Sequence, residues 1–376
     1  MWPPFRAELV RAILATEWVN RALGRHHHRG LTLLLQAASS LVSEMFFLVG
    51  IPTITFGADP TLGLSSIYLL CLVLYVSNLV KNIYRAPRPN GVDTTKWMTE
   101  RGYGFPSSHS SSAAALPLFF LMRWPDDSTR ATASGVAPLL TAAIAVSRLY
   151  LGVHSVPDVV GGLAIGTALV LNVGPLLAFQ ASAIVAAPAL TAVSGLAAAI
   201  ALVWLHPNPN PMNSTLDESA VVLGAWAGGV LGECTFSGVR GVPASFGARA
   251  ARVVVGLLVQ AAVKVLTKKI LLRAVRPFGP TIGRALAGPG ASSSDTGSGG
   301  NSDKGSAVKS AAARARWGRV KTEFTAMHAF NPFAIEHAHE DEAERATLLA
   351  VRLFNYAFTA WAAADGAWRV FEALGL

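Results

Sequence analysis

Three short polar clusters interrupt an otherwise apolar chain, and their residue types are those of phosphoryl transfer. The first reads Lys-Asn-Ile-Tyr-Arg-Ala-Pro-Arg-Pro over Lys81–Pro89, the second Phe-Pro-Ser-Ser-His over Phe105–His109. The third reads Ser-Arg-Leu-Tyr-Leu-Gly-Val-His-Ser-Val-Pro-Asp over Ser147–Asp158. A phosphate monoester dianion needs cations and donors on its non-bridging oxygens, a nucleophile in line, and an acid for the leaving alkoxide. Lys81, Arg88 and Arg148 can neutralise the charge, with arginine forks suited to phosphate geometry. Ser107 adds a hydroxyl, and the backbone of Ser107, Ser108 and His109 adds amide donors where that stretch opens a helix. His154 and Asp158 are four residues apart, so in a helix or turn the carboxylate accepts a proton from the imidazole. That pairing fixes the tautomer and leaves the other ring nitrogen free to attack. His109 and His154 then divide the work of nucleophile and acid.

The elements that must hold these groups are membrane helices. The chain has 376 residues, 52% hydrophobic and only 14% charged, with mean hydropathy +0.43. A soluble domain carries about 25% charge, so the expected class is an all-α polytopic membrane bundle of about eight or nine spans, each near 20 apolar residues. Leu31–Phe56 reads as the first span, closed by the turn Gly57–Pro60, and Thr61–Val80 as the second, ending on Lys81. Ser110–Met122 is the third, with a polar turn at Arg123–Arg130. Ala131–Val153 is the fourth, and the fifth opens at Pro157 and runs to about Phe179. Gly161, Gly162 and Gly166 suit close helix packing. Val185–Leu205 is the sixth span, His206–Ser219 a Pro/Asn-rich loop, and Ala220–Phe236 the seventh. Arg252–Leu272 either crosses the bilayer or lies along it. Two crossings separate His109 from His154, which returns them to one side of the membrane.

Residues 1–30 read as a basic interfacial segment and 31–275 as the membrane domain, with its core at 61–179. A basic, Gly/Ser-rich linker follows at 276–344, and a membrane helix at 345–376. The formal net charge of +9 fits an anionic lipid surface, and nothing in the chain supports nucleic-acid binding. The two cysteines, Cys71 and Cys234, stand in apolar runs without a basic neighbour and read as inert.

Lys-x6-Arg-Pro, Pro-Ser-x-His and Ser-Arg-x5-His-x3-Asp, in that order, resemble the tripartite signature of the type 2 phosphatidic acid phosphatase superfamily. The resemblance implies a phosphohistidine on His154 supported by Asp158, with His109 as general acid. It assigns phosphate binding to Lys81, Arg88, Ser107 and Arg148, and implies neither metal nor cofactor. Ser108 departs from the glycine of many members and stays in the phosphate-binding set. Ser43–Phe47, Glu100–His109 and Asp217–Gly232 are further similar to segments of sphingosine-1-phosphate phosphatases. That narrower likeness implies a long-chain-base phosphate substrate in the endoplasmic reticulum membrane. The core signature alone fits phosphatidate or a polyprenyl diphosphate equally well, and a catalytically silent lipid-binding or transport relative is the reading from a different class. Retention of both histidines, Asp158 and every phosphate ligand argues against silence.

Glu44, inside a span, either neutralises a substrate ammonium or a site cation, or makes a structural hydrogen bond to another helix. Arg85 reads as a rim or lipid-facing residue, Trp97 and Tyr103 as interfacial anchors, and His206 as a loop residue. His337, His339 and Glu340 read as a solvated acidic segment, and Arg314–Lys321 as a lipid-surface patch. The histidine run 26–28 reads as a wet headgroup-level patch. Asn213-Ser214-Thr215 is a formal glycosylation sequon.

Overall fold

The computed structural model describes residues 3–26, 28–43, 46–89, 102–123, 127–207, 215–275, 277 and 342–376. Met1–Pro277 and Thr347–Leu376 form one unit; of Phe278–Ala346, only the opening of the penultimate helix is described. All regular structure among the described residues is helical.

The chain runs α1 (Pro3–Gly24), α2 (Arg29–Ser40), a π-helical turn (Phe46–Gly50), α3 (Ile51–Gly57) and α4 (Pro60–Tyr84). It continues through α5 (Ser108–Arg123), α6 (Asp127–Tyr150), α7 (Val156–Ala186), α8 (Pro188–Leu205), α9 (Thr215–Thr235) and α10 (Phe246–Val275). It closes with α11 (Glu342–Trp361), a second π-helical turn (Ala362–Gly366) and α12 (Ala367–Leu374). Among the described residues four helices, α4, α7, α8 and α10, are long and apolar enough to cross a membrane; Phe46–Gly57 and Ser134–Tyr150 are apolar but shorter. Exposed Val160, Leu171 and Phe179 on α7, Leu190 and Trp204 on α8, and Leu258 and Ile270 on α10 give these helices apolar outer faces. Helices apolar all round belong in lipid, as expected of an integral membrane protein.

Several boundaries differ from the sequence reading, each for a local reason. The first apolar run is not one helix. The hydroxyls of Ser40 and Ser43 turn back onto the carbonyls of Ala37 and Ser40, and the helix breaks before the π turn. The fifth helix passes Phe179 and Pro175 to Ala186, and α8 follows after Ala187 alone: the polar residues between the two apolar runs are absorbed into the helix, Ser182 Oγ donating to the Phe179 carbonyl at 2.8 Å and Gln180 Oε1 accepting from Trp226 Nε1 at 3.0 Å. The loop after His206 ends at Thr215, not Ser219: Asp217 and Glu218 occupy the first turn of α9, where the helix dipole favours carboxylates. The third helix starts at Ser108, two residues earlier than expected. The undecided segment at 252–272 belongs to a continuous 30-residue helix, and the C-terminal helix begins at Glu342, ahead of residue 345.

Helix α4 is the axis of the core. Asp59 caps it through the Leu62 amide at 2.8 Å, with Pro60 in its first turn. One side of α4 packs with α5 and α7 through Leu69, Val73, Phe119 and Val170. Another packs with α9 and the α2–α3 junction through Tyr68, Cys71, Val222 and Phe46. Glycines bring backbones together. A Cβ on Gly162 would meet the Ser107 carbonyl at 2.5 Å, and one on Gly166 the Ser111 carbonyl at 2.0 Å, so α7 lies directly on α5. Gly224 and Gly228 of α9 likewise admit the Leu353 and Ala357 carbonyls of α11.

Candidate active site

The three clusters converge where α4 ends and α5 and α7 begin. Arg85 takes a left-handed conformation (φ 52°) and closes α4, its amide on the Lys81 carbonyl at 2.9 Å. The returning strand of loop is pinned by the Gly104 amide on the Ala86 carbonyl at 2.9 Å. Gly104 has no room for a side chain: a Cβ would lie 2.9 Å from both Asp158 Oδ2 and the Pro87 carbonyl.

The N-termini of α5 and α7 are cross-tied, because the Ser107 amide donates to the Asp158 carbonyl at 2.9 Å. Ser107 caps α5, its hydroxyl oxygen accepting from the Ser110 amide at 3.3 Å and the Ser110 hydroxyl at 3.0 Å. Ser155 and Asp158 form a capping box on α7, with the Ser155 amide donating to Asp158 Oδ2 at 2.7 Å. Two helix N-termini, with their positive dipole ends, therefore meet at one point, an arrangement that favours an anion.

The side chains are assembled around that point. Lys81, buried in the last turn of α4, donates to Ser108 Oγ. Arg88 reaches across the loops, donating from Nη1 to the Val153 carbonyl at 2.6 Å and from Nε to the Gly102 carbonyl at 3.2 Å. The same Nη1 lies 3.4 Å from His154 Nε2. The opposite ring nitrogen, His154 Nδ1, lies 3.6 Å from Asp158 Oδ2, longer than a hydrogen bond. His154 is 2% exposed and Asp158 0%, so the imidazole is held between a buried carboxylate and a guanidinium. Arg148 is fully buried, with Nη1 on Ser39 Oγ at 2.9 Å, and its carbonyl accepts from the His154 amide at 3.4 Å. His109 stands half-buried in the first turn of α5, next to Ser108. All eight residues expected to act in catalysis or phosphate binding thus belong to this junction of α4, α5, α6 and α7.

Glu44 lies outside the described residues, as do Trp97, the sequon at Asn213-Ser214, the patch 314–321 and His337, His339 and Glu340. Supporting residues emerge that spacing did not reveal. Asn20 of α1 donates to the carbonyls of Leu149 and His154, both at 2.9 Å, and so holds the loop that carries His154. Leu9 and Ile13 pack with Ala86, Tyr84 and Phe105, so α1 covers the loops rather than standing apart from them. His206 is more than a loop residue. It is buried, bonded to Ser219 Oγ and the Pro207 carbonyl, both at 3.0 Å, and Asn82 Nδ2 holds that same carbonyl at 2.6 Å. Burial pushes the His206 imidazole below the ordinary histidine range, against the raising effect of the Pro207 carbonyl. Asp217 and Arg352 form a buried ion pair that ties α9 to α11.

Residues 62–180 match the PAP2 superfamily. The chain is 28% identical over 204 residues to sphingosine-1-phosphate phosphatase 2 of Homo sapiens, covering 53% of this chain and 51% of that protein. It is 32% identical over 141 residues to lipid phosphate phosphatase delta of Arabidopsis thaliana, 34% of each chain. A dihydrosphingosine 1-phosphate phosphatase of Saccharomyces cerevisiae is 27% identical over 163 residues, 40% of each. The chain spans about half the length, or less, of these curated relatives. Among solved structures, a PAP2 type phosphatidylglycerolphosphate phosphatase from Bacillus subtilis aligns with 24% identity and TM-score 0.39, over 47% of this chain and 96% of that one.

Proposed function

The chain carries a PAP2 superfamily domain over residues 62–180, and from that premise we propose that it hydrolyses long-chain-base phosphates to the free base and inorganic phosphate. The reading rests above all on one imidazole: His154 has Nδ1 turned to Asp158 at 3.6 Å and Nε2 turned to the Arg88 guanidinium at 3.4 Å. Asp158 keeps the proton on Nδ1, which leaves the Nε2 lone pair for phosphorus.

The reaction then runs in two balanced steps. His154 Nε2 attacks phosphorus in line, the bond to the ester oxygen breaks, and His109 gives that oxygen its proton. Water next attacks the phosphohistidine, His109 takes the water proton, and the P–N bond breaks to release inorganic phosphate and neutral His154. Lys81, Arg88, Arg148 and the hydroxyls of Ser107 and Ser108 hold the three non-bridging oxygens throughout, doing by fixed charge what a metal does elsewhere. Because these donors are fixed before substrate arrives, they stabilise developing charge without reorganising.

The named activities of the relatives favour a sphingoid-base phosphate, and the endoplasmic reticulum membrane is the setting that the resemblance to sphingosine-1-phosphate phosphatases implies. Phosphatidate and polyprenyl diphosphate are the competing substrates, since the signature residues contact only phosphate. The test is phosphate release by purified protein in micelles from sphingosine-1-phosphate, phosphatidate and a polyprenyl diphosphate, with and without chelator. The expected result is release from the sphingoid-base phosphate, unaffected by chelator, that falls at least ~10³-fold in His154→Ala. Release that survives His154→Ala, or that chelator removes, rejects the mechanism, and a higher rate on phosphatidate or the diphosphate rejects the substrate.

A further inference from the structure

One turn deeper in the membrane than the Lys81–Ser108 pair lie two buried polar groups that the reaction does not use. Asn78 is 0% exposed, and neither its amide nitrogen nor its amide oxygen makes a hydrogen bond. The Ser112 hydroxyl is likewise fully buried and unpaired. Buried polar groups in proteins are almost always satisfied, and each exception asks for an explanation.

Their position supplies one. Helices α4 and α5 run antiparallel, with Lys81 bonded to Ser108 and Ser77 Oγ to Ser111 Oγ at 3.1 Å. At about 100° per residue, Ser77 and Ser111 turn to one flank of this seam, and Asn78 and Ser112 to the other. His109 turns to that same second flank. Asn78 lies three residues before Lys81 and Ser112 four after Ser108, so both are about 4.5–6 Å further from the catalytic end. A further turn along, the residue type changes: Leu74 and Leu116 join a cluster with Cys71, Phe46, Phe47 and Phe120. The second flank therefore grades from cations, to neutral polar groups, to hydrocarbon.

We propose that the Asn78 amide and the Ser112 hydroxyl recognise the vicinal amino and hydroxyl groups that follow the phosphate ester in a 2-amino-3-hydroxyalkyl phosphate. This rests on the phosphatase reading above and names the residues that select its substrate. At ~1.5 Å per bond, those groups lie about 4–6 Å from phosphorus, which matches the step from Lys81 to Asn78. Asn78 Oδ1 accepts from the ammonium, Asn78 Nδ2 donates to the hydroxyl oxygen, and Ser112 Oγ accepts the hydroxyl proton. The alkyl chain continues onto Leu74, Leu116 and the phenylalanines. Neutral partners suit this task, because a carboxylate there would pair with Lys81 and weaken the phosphate site.

The experiment compares kcat/KM for sphingosine-1-phosphate and for an n-alkyl phosphate of equal chain length, in wild-type protein, Asn78→Leu and Ser112→Ala. The ratio of the two values is read within each variant, so loss of folded protein cancels. Wild type is expected to favour sphingosine-1-phosphate, and that ratio is expected to fall at least about tenfold in Asn78→Leu and several-fold in Ser112→Ala. The unfolding temperature of Asn78→Leu in detergent is expected to hold or rise, since a buried unpaired amide is replaced by an apolar group of similar size. A ratio unchanged in both variants, with both substrates falling together, overturns the inference and makes Asn78 a support for Lys81. Wild-type protein that hydrolyses both lipids without preference also overturns it, while the phosphatase reading stands. Wild type that releases phosphate from neither overturns that reading as well.

Discussion

Asp158 performs two jobs with one oxygen, and the two can be separated by substitution. Its Oδ2 accepts the Ser155 amide at 2.7 Å as part of a helix cap and faces His154 Nδ1 at 3.6 Å. Ser155→Ala removes the reciprocal half of the box and is expected to lower stability by about 0.5–2 kcal/mol while kcat holds. Asp158→Asn keeps the shape but loses the charge that orients the imidazole, and kcat is expected to fall about 10²–10⁴-fold. Denaturation in detergent and single-turnover phosphate release measure the two effects independently. Equal kinetic loss in both variants would mean that the cap alone positions His154. A second residue-scale expectation concerns His206, whose pKa burial depresses. The unfolded chain then binds the proton more readily than the folded one, so stability is fully present above ~6.5 and declines as pH falls toward the folded value. The unfolding midpoint of wild type should drop between about pH 7.5 and 5.5 more steeply than that of His206→Gln. Identical slopes would remove His206 from the acid sensitivity.

At the scale of elements, the site is a product of one helix contact. Gly162 and Gly166 let α7 rest on the α5 backbone, and this places the Ser155–Asp158 cap against Ser107. Gly166→Ala would set a methyl 2.0 Å from the Ser111 carbonyl. The helices must separate, at a cost of about 1–3 kcal/mol, and His154 moves away from Lys81 and Arg88. Activity is therefore expected to fall by more than tenfold, because misplacement of the order of 1 Å costs about 10²-fold. Gly135→Ala, on α6 with open space around it, is the matched control. The glycines and the three clusters were legible in the sequence because their meaning is local: a spacing on one helix, a proline in a first turn, a polar run ending a span. What was not legible depends on distant chain. Arg148 is held by a serine 109 residues away, and His154 by an asparagine 134 residues away. Asn78 stood unnoticed in an apolar run because one polar residue carries no periodicity. The break after Ser40 was hidden by uniform hydropathy, which does not distinguish a straight helix from one whose hydroxyls compete for its carbonyls.

At the scale of the molecule, the contacts fix which ends share a side. Asn82 on the Pro207 carbonyl sets the end of α8 and the approach to α9 beside the end of α4 that carries Lys81. Helix α11 runs parallel to α9, since Gly224 meets Leu353, Gly228 meets Ala357 and Gly232 meets Ala364. Its Thr347–Arg352 stretch is therefore at the end that carries Lys81, where Asp217 pairs with Arg352. Helix α10 runs the other way. Arg252 reaches the Leu376 carbonyl, whereas Thr267 bonds Asn355 at 2.6 Å, so Val275 finishes toward the end that carries Lys81. Val275 and Thr347, the residues of this unit that bracket the intervening segment, thus lie at the end that carries Lys81, and Leu376 lies at the opposite end. If these helices cross the bilayer as their packing implies, a tag inserted in 276–341 and an N-terminal tag must share the sidedness of the active site, with a C-terminal tag opposed. Protease protection in sealed microsomes reads this directly. The expected pattern is joint digestion or joint protection of the first two tags and the reverse for the third. Opposite behaviour of the linker and N-terminal tags would mean that α10 lies along the membrane, against its antiparallel register with α11.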